Sequence, residues 1–288
     1  MDIKQVAKSR EIEEWTLEDN RIVSAIIQNN EYADITVMER KTKLNVKKIN
    51  KTEYVNLSTG EVKEYNLSKN KCNIESIRKT FKELIYLIRH NFTVGSENQL
   101  FITLTYAENI TDKNKLYKDF EKFYKKLKRR YKDMKFDYIL VAEPQERGAW
   151  HIHLMLKADK PLYIHDSVIR ELWGHGITQT ERLKGDDVGK YYVAYFTNLE
   201  IEAKDERSKE KKYVKGARLQ LYPSGMKIYR TTKGIKKPLK IDVTFGELKE
   251  QFGVPIWKQE YKIFKAENGN EEIVNKLYKA SFKKKKLT

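Results

Sequence analysis

The 288 residues predict an α+β fold: a central antiparallel sheet with helices packed on one side of it. Three observations lead there. Apolar periods of two and of 3.6 alternate through the middle of the chain, in the order strand, helix, strand, strand, helix, strand, helix. The second and third of these strands, Phe136–Ala142 and Trp150–Lys157, are separated only by the turn-like run EPQERG. A link that short cannot cross a sheet, so the two pair as an antiparallel hairpin. Hydrophobic residues make up 40% of the chain, enough to fill a core.

The elements follow in order. Residues 1 to about 70 mix short strand-like runs with polar stretches, and Thr52–Tyr65 reads as a hairpin around Ser58-Thr59-Gly60-Glu61. Asn73 is placed to cap a helix whose apolar stripe is Ile74, Ile77, Phe81, Leu84, Ile85 and Ile88. Leu100–Tyr106 is rich in β-branched and aromatic residues and reads as a strand. Asp112 caps the next helix, striped by Leu116, Phe120, Phe123, Leu127 and Tyr131. After the hairpin come a short helix at Asp166–Trp173, a strand at Ile177–Leu183 and a helix from Asp187 to about Glu200. The run 202–212 is almost wholly charged and reads as a linker or exposed arm. Leu219–Tyr222 and Met226–Thr232 are strand-like, and Lys283–Lys286 forms a basic tail. The expected organisation is an N-terminal accessory region at 1–95, a core at 96–200, and a charged linker with a C-terminal accessory region at 201–288.

Lys and Arg number 58 against 41 Asp and Glu, a net charge of +17. A surplus of that size favours a polyanionic partner, and nucleic acid is the commonest. An AT-rich genome also enriches lysine, so the charge supports this reading without deciding it. No apolar run is long enough to span a bilayer and no signal peptide is visible, so a cytoplasmic protein without a membrane partner is expected. The lone Cys72 excludes an intrachain disulfide and a CxxC zinc site.

The chemistry concentrates in the second hairpin. His151 and His153 are two apart, so on a strand both imidazoles share one face. Glu143 ends the preceding strand, and pairing brings its carboxylate toward them. His165 puts a third histidine within fifteen positions, of five in the chain. Two imidazoles and a carboxylate suit a divalent cation with positions left open for substrate oxygens. Mg²⁺ or Mn²⁺ matches a phosphate substrate, and zinc takes the same ligands. Farther along, VGKYYVAYFTN at Val188–Asn198 puts Tyr191 and Tyr195 one helical turn apart on a common face, with Tyr192 about 100° away. A phenol attacks a phosphodiester only if the developing charge is stabilised, because its pKa is about 10.

This combination resembles the HUH endonucleases, and among them the rolling-circle replication initiators of small plasmids and phages. Their Thr-rich strand is matched by FITLTY at Phe101–Tyr106, their paired histidines by His151-Ile152-His153, and their tyrosine helix by the segment holding Tyr191 and Tyr195. A tyrosine downstream of the histidines is the order of initiators; conjugative relaxases have it upstream. The resemblance spans roughly residues 74–200, and implies an HUH, ferredoxin-like core with N- and C-terminal additions. It implies metal-assisted attack by a tyrosine, Tyr191 first and Tyr195 second. A 5′-phosphotyrosine link forms and a 3′-OH is freed. The partner it implies is plasmid or phage origin DNA, single-stranded or extruded in a hairpin, with Thr103, Thr105 and Lys190 as DNA contacts. One departure stands out: many single-tyrosine initiators carry a lysine three residues after the tyrosine, and here Ala194 and Asn198 hold those positions. That leaves open whether Lys190 supplies the missing charge or the chain belongs with initiators using two tyrosines.

The basic helix end formed by Lys125, Lys126, Lys128, Arg129 and Arg130 is a further candidate DNA surface. Gly185–Lys190 lacks the spacing and the Ser or Thr of a phosphate loop, so no ATP use is expected, and a host helicase and polymerase would unwind and extend. Two other functions compete: a non-catalytic nucleic-acid-binding replication regulator, and a related HUH transposase.

Overall fold

LFITL, DYILVA and HIHLMLK are continuous apolar runs, and a strand of that kind must be covered on both faces. In the computed structural model the first of them is buried at every position of β7 (Gln99–Leu104). The structure describes residues 8–9, 17–40, 46–50, 52–65, 74–145, 148–197, 199–201, 212–214, 217–223, 226–267 and 270–284. Asn73, Cys72, residues 202–211 of the charged run and residues 285–286 of the basic tail lie outside these.

The chain divides into two compact units, one of residues 70–237 and one of residues 1–69 with 238–288. The second unit draws on both ends of the sequence. Its strands are β1 (Lys8–Ser9), β2 (Ile22–Gln28), β3 (Tyr32–Met38), β14 (Leu239–Thr244), β15 (Trp257–Glu267) and β16 (Asn270–Lys283), in the sheet order β1-β15-β16-β3-β2-β14. Helix α5 (Phe245–Phe252), begun by a capping box between Thr244 and Glu247, buries Phe245, Leu248 and Phe252 with Val23, Ala25, Ile27 and Phe282. The expected hairpin at 52–65 is present as β5 (Glu53–Asn56) and β6 (Val62–Glu64), with β4 (Val46–Lys48) added at its edge.

The unit of residues 70–237 carries the strands singled out above. Its elements are α1 (Ile74–Asn91), β7, α2 (Lys113–Arg130), β8 (Phe136–Pro144), β9 (Trp150–Ala158), α3 (Asp166–Trp173), β10 (Thr178–Glu181), α4 (Val188–Thr197) and β13 (Tyr229–Thr231). The sheet is antiparallel throughout, in the order β10-β7-β9-β8-β13. Beyond α4, β11 (Leu199–Ile201) pairs with β12 (Lys212–Val214). Leu219–Tyr222, expected as a strand, lies in a 3₁₀ turn at Ala217–Leu221.

Helices cover both faces, which corrects the one-sided packing expected from the sequence. The ring of Phe120 in α2 meets Tyr138 edge-on at 5.1 Å, and Lys126 Nζ of α2 donates to the carbonyl of Leu172 in α3. On the opposite face, Phe101 packs against Tyr192, Tyr195 and Phe196 of α4. Helix α1 packs on α4 in turn. The two helices approach closely at Gly189, where a Cβ would come within 2.7 Å of the Ile85 carbonyl oxygen. Only glycine permits that approach without moving a backbone.

Candidate active site

β9 turns His151, His153 and Met155 to the face that carries α4. Antiparallel register sets Thr103 of β7 and Val141 of β8 beside His153, and Glu143 opposite His151. Glu143 reaches diagonally along the sheet, and its Oε2 lies 2.5 Å from His153 Nε2. Thr103 Oγ1 stands 3.3 Å from the other ring nitrogen, Nδ1. Both side chains of the Glu143–His153 pair are buried. One tautomer, assigned from this network, serves all three groups: the Thr103 hydroxyl donates to Nδ1, and Nε2–H donates to the carboxylate.

Aromatic rings fix the imidazole. Phe101 stacks on His153 with 5.7 Å between centroids, and Phe196 lies at 5.0 Å. Tyr195 meets the His153 ring edge-on at 5.3 Å and 88°. Tyr195 is 48% exposed, so its ring touches the buried pair while remaining open to a ligand. Tyr191 sits one turn earlier and is 43% exposed, with its ring against Tyr192 and over Gly185. The structure therefore brings Tyr195 to His153, and holds Tyr191 away from that pair. Tyr192 is buried, its hydroxyl accepts the Lys184 backbone N–H at 3.2 Å, and burial holds its phenol well above the usual range. It is a core residue.

Burial holds His153 neutral, its pKa falling to about 3 from the ordinary 6.5. An unfolded imidazole takes a proton at about 6.5 and the folded one resists until about 3, so the unfolded state binds more protons between those values. The contribution of His153 is complete above pH 6.5 and is lost as the pH falls toward 3. Urea unfolding across that window should show a slope of up to about 1.4 kcal/mol per pH unit from this residue. His153→Asn should flatten it, and equal slopes in the two proteins would contradict the assignment.

Helix α4 is held by groups that the sequence reading passed over. Asp187 caps it, with Oδ1 accepting the Lys190 N–H at 3.1 Å. Arg89 of α1, 1% exposed, forks onto the same carboxylate: Nε donates to Oδ1 at 2.9 Å, and Nη2 pairs with Oδ2. Desolvation pulls the Asp187 carboxyl up, yet the Arg89 hydrogen bonds and charge, with Lys190, outweigh it and leave the carboxyl below its usual range. A signal was available, since Arg89 follows Phe81 and Ile85 at four-residue spacing. An arginine on an apolar stripe needs a buried acid. The second residue passed over is Arg218, in the 3₁₀ turn, whose Nη1 pairs with Glu143 Oε1. No local pattern in the sequence marks it.

The remaining expected site residues are placed as follows. His165 caps α3, accepting the Ser167 N–H at 3.3 Å, and does not join the other histidines. Thr105 donates to the Ile177 carbonyl at 2.7 Å, so its hydroxyl, like that of Thr103, is engaged within the fold. Lys190 is exposed beside Tyr191. Lys125, Lys126, Lys128, Arg129 and Arg130 are exposed on α2, whose sheet face is opposite to that of His153.

The donor types fit a divalent cation: one buried carboxylate and one neutral imidazole in contact, with His151 two residues along the same strand face. Among the described residues, no group of three His, Cys, Asp or Glu side chains converges. His151 is half-buried and stands beside the pair rather than within it.

Residues 99–200 match the model of a family of replication-associated proteins, the ORF2 type. The matched span is about a third of the chain, and it holds Thr103, Glu143, both paired histidines and both tyrosines. No curated protein and no solved structure matches the chain. The similarity supports a role in DNA replication. Among the described residues, no helix is long and apolar enough to cross a membrane.

Proposed function

We propose that the protein is a replication initiator of the HUH type, which nicks one DNA strand at an origin by tyrosine attack. Tyr195 is the attacking residue in this reading. One observation carries it: an exposed tyrosine ring stands edge-on to a buried, neutral histidine that is itself joined to a buried carboxylate. His153 and Glu143 would hold a Mg²⁺ or Mn²⁺ ion, with His151 the nearest further donor. When bound, such an ion polarises the scissile phosphate and offsets the charge that develops on its oxygens.

The protein's own groups do the rest. Phe101, Phe196 and Thr103 fix the orientation of the His153 ring. If His153 gives its Nε2 lone pair to an ion, its proton belongs on Nδ1, and the Thr103 hydroxyl turns from donor to acceptor. Arg89 and Asp187 hold α4, and with it Tyr195, against the sheet. The phenol oxygen forms a bond to phosphorus, the bond from phosphorus to the 3′ oxygen breaks, and the proton lost by the phenol balances the one gained by the departing hydroxyl. The strand is left with a 5′-phosphotyrosine and a free 3′-OH for a polymerase. Tyr191, one turn away and exposed, is positioned to serve a second transfer.

The test is incubation of the full chain with Mn²⁺ and single-stranded oligonucleotides tiled across the replicon that encodes it, followed by mass spectrometry of the peptides. A nucleotide-linked peptide modified at Tyr195 is the expected product. Modification at Tyr191 alone would transfer the attacking role to that residue. DNA binding without any cleavage would favour a non-catalytic replication regulator.

A further inference from the structure

Two arginines of the same unit meet buried carboxylates in different ways. Arg89 forks onto Asp187 through both Nε and Nη2. Arg218 meets Glu143 Oε1 through Nη1, and its Nε is buried without a hydrogen-bond partner among the described residues. The first arrangement uses the planar fork that makes arginine a strong structural partner; the second uses one end of it. Arg218 also arrives from a five-residue 3₁₀ turn, packed on α1 and α4, rather than from the strands that carry Glu143 and His153. The turn is anchored by the neighbouring Tyr222, whose ring packs against Phe81 and Trp150. Glu143, only 2% exposed, needs a cation, since a buried carboxylate without one is costly. Its other oxygen is already used by His153.

We propose that Arg218 is an internal counter-cation, occupying on Glu143 the position that a divalent ion takes and leaving that oxygen when the ion binds. This rests on the reading of Glu143 as a metal ligand. A guanidinium and a divalent ion do not share one carboxylate oxygen, so the two compete, and each weakens the other's hold by the same factor. In the metal-free protein the arginine keeps the buried acid compensated and the strands paired. Once released, it is a mobile cation close to where a phosphodiester must lie. Arg218 is thus a positioning residue, acting on the reaction through Glu143.

Mn²⁺ binding by the full chain, read by electron paramagnetic resonance of the free ion, tests this in the wild type, Arg218→Met and Glu143→Gln. Thermal unfolding is followed with and without Mn²⁺. Arg218→Met should bind Mn²⁺ about tenfold more tightly than the wild type, within the range usual for coupled sites. It should also melt at a lower temperature without Mn²⁺ and regain more of that loss than the wild type does when Mn²⁺ is added. Arg218→Lys, which keeps the charge and loses reach, should fall between the two, and it carries the comparison if Arg218→Met does not fold. Equal Mn²⁺ affinity in the wild type and the Arg218 variants, with weaker binding in Glu143→Gln, overturns the proposal and leaves the metal reading standing. Mn²⁺ binding that Glu143→Gln leaves unchanged overturns both.

Discussion

Tyr195→Phe should abolish nicking and the covalent adduct, a loss of at least about 10⁴-fold, as removal of an attacking residue does in other covalent enzymes. Its affinity for single-stranded DNA should stay within about twofold. The ring is half in solvent and its contacts with His153 and Phe101 are made by carbon edges, so phenylalanine preserves the packing. Stability should therefore stay within about 0.5 kcal/mol of the wild type. Tyr191→Phe should cut at close to the wild-type rate in a single turnover, because Tyr191 packs against Tyr192 and Gly185 rather than against His153. Single-turnover cleavage of a labelled oligonucleotide, alongside a gel-shift titration, separates chemistry from binding. Undiminished cleavage by Tyr195→Phe would remove the residue from its proposed role.

Arg89→Ala should destabilise the unit by about 3–5 kcal/mol, because it leaves the Asp187 carboxylate part-buried without its fork. The ion pair ties α1 to the first turn of α4, so the loss falls on the helix that carries both tyrosines. Cleavage should fall with stability, and more steeply than DNA binding, since the tyrosine must reach a defined point while phosphate contacts tolerate displacement. Replacing both partners, Arg89→Met with Asp187→Leu, should recover most of the stability, because the cost lies in the uncompensated charge. The pair also sets an acid limit. The Asp187 carboxyl is held below its ordinary 3.8, so its contribution is complete above that pH and is lost as the pH falls through the lowered value. Urea unfolding of the four proteins at neutral pH measures the coupling. A change below about 1 kcal/mol in Arg89→Ala would show that packing at Gly189, rather than the ion pair, holds the helices together.

Much of the fold around the site was legible because it is local. Two apolar runs separated by six residues had to pair, and pairing alone put Glu143 opposite His151. The i, i+2 rule placed both imidazoles on one face. Asp112 and Asp187 cap helices where the sequence puts an acid before an apolar stripe. What was not legible depends on contacts between distant segments. Strand spacing does not say how far a side chain reaches along the sheet, so it did not distinguish His153, which meets Glu143, from His151, which does not. The helical period set Tyr191 and Tyr195 on one face of α4 but did not say which end of that face lies over the histidines. Arg218 is 75 positions from Glu143 in sequence, and nothing near it marks a buried acid as its partner. Helices on both faces were foreshadowed in LFITL and DYILVA, where the absence of polar alternation was the available sign.

The six-stranded sheet has a consequence for how the protein is made. Strand β3 finds its outer neighbour in β16, with Tyr32 across from Lys283, so most of the chain must leave the ribosome before that edge is closed. The unit of residues 70–237 has all its strands in hand much earlier. It should complete its fold first during synthesis, while β2 and β3 wait with an open hydrogen-bonding edge. In such an order the portion that carries the tyrosine helix matures early, and the last strands to emerge must find partners made more than two hundred residues before them.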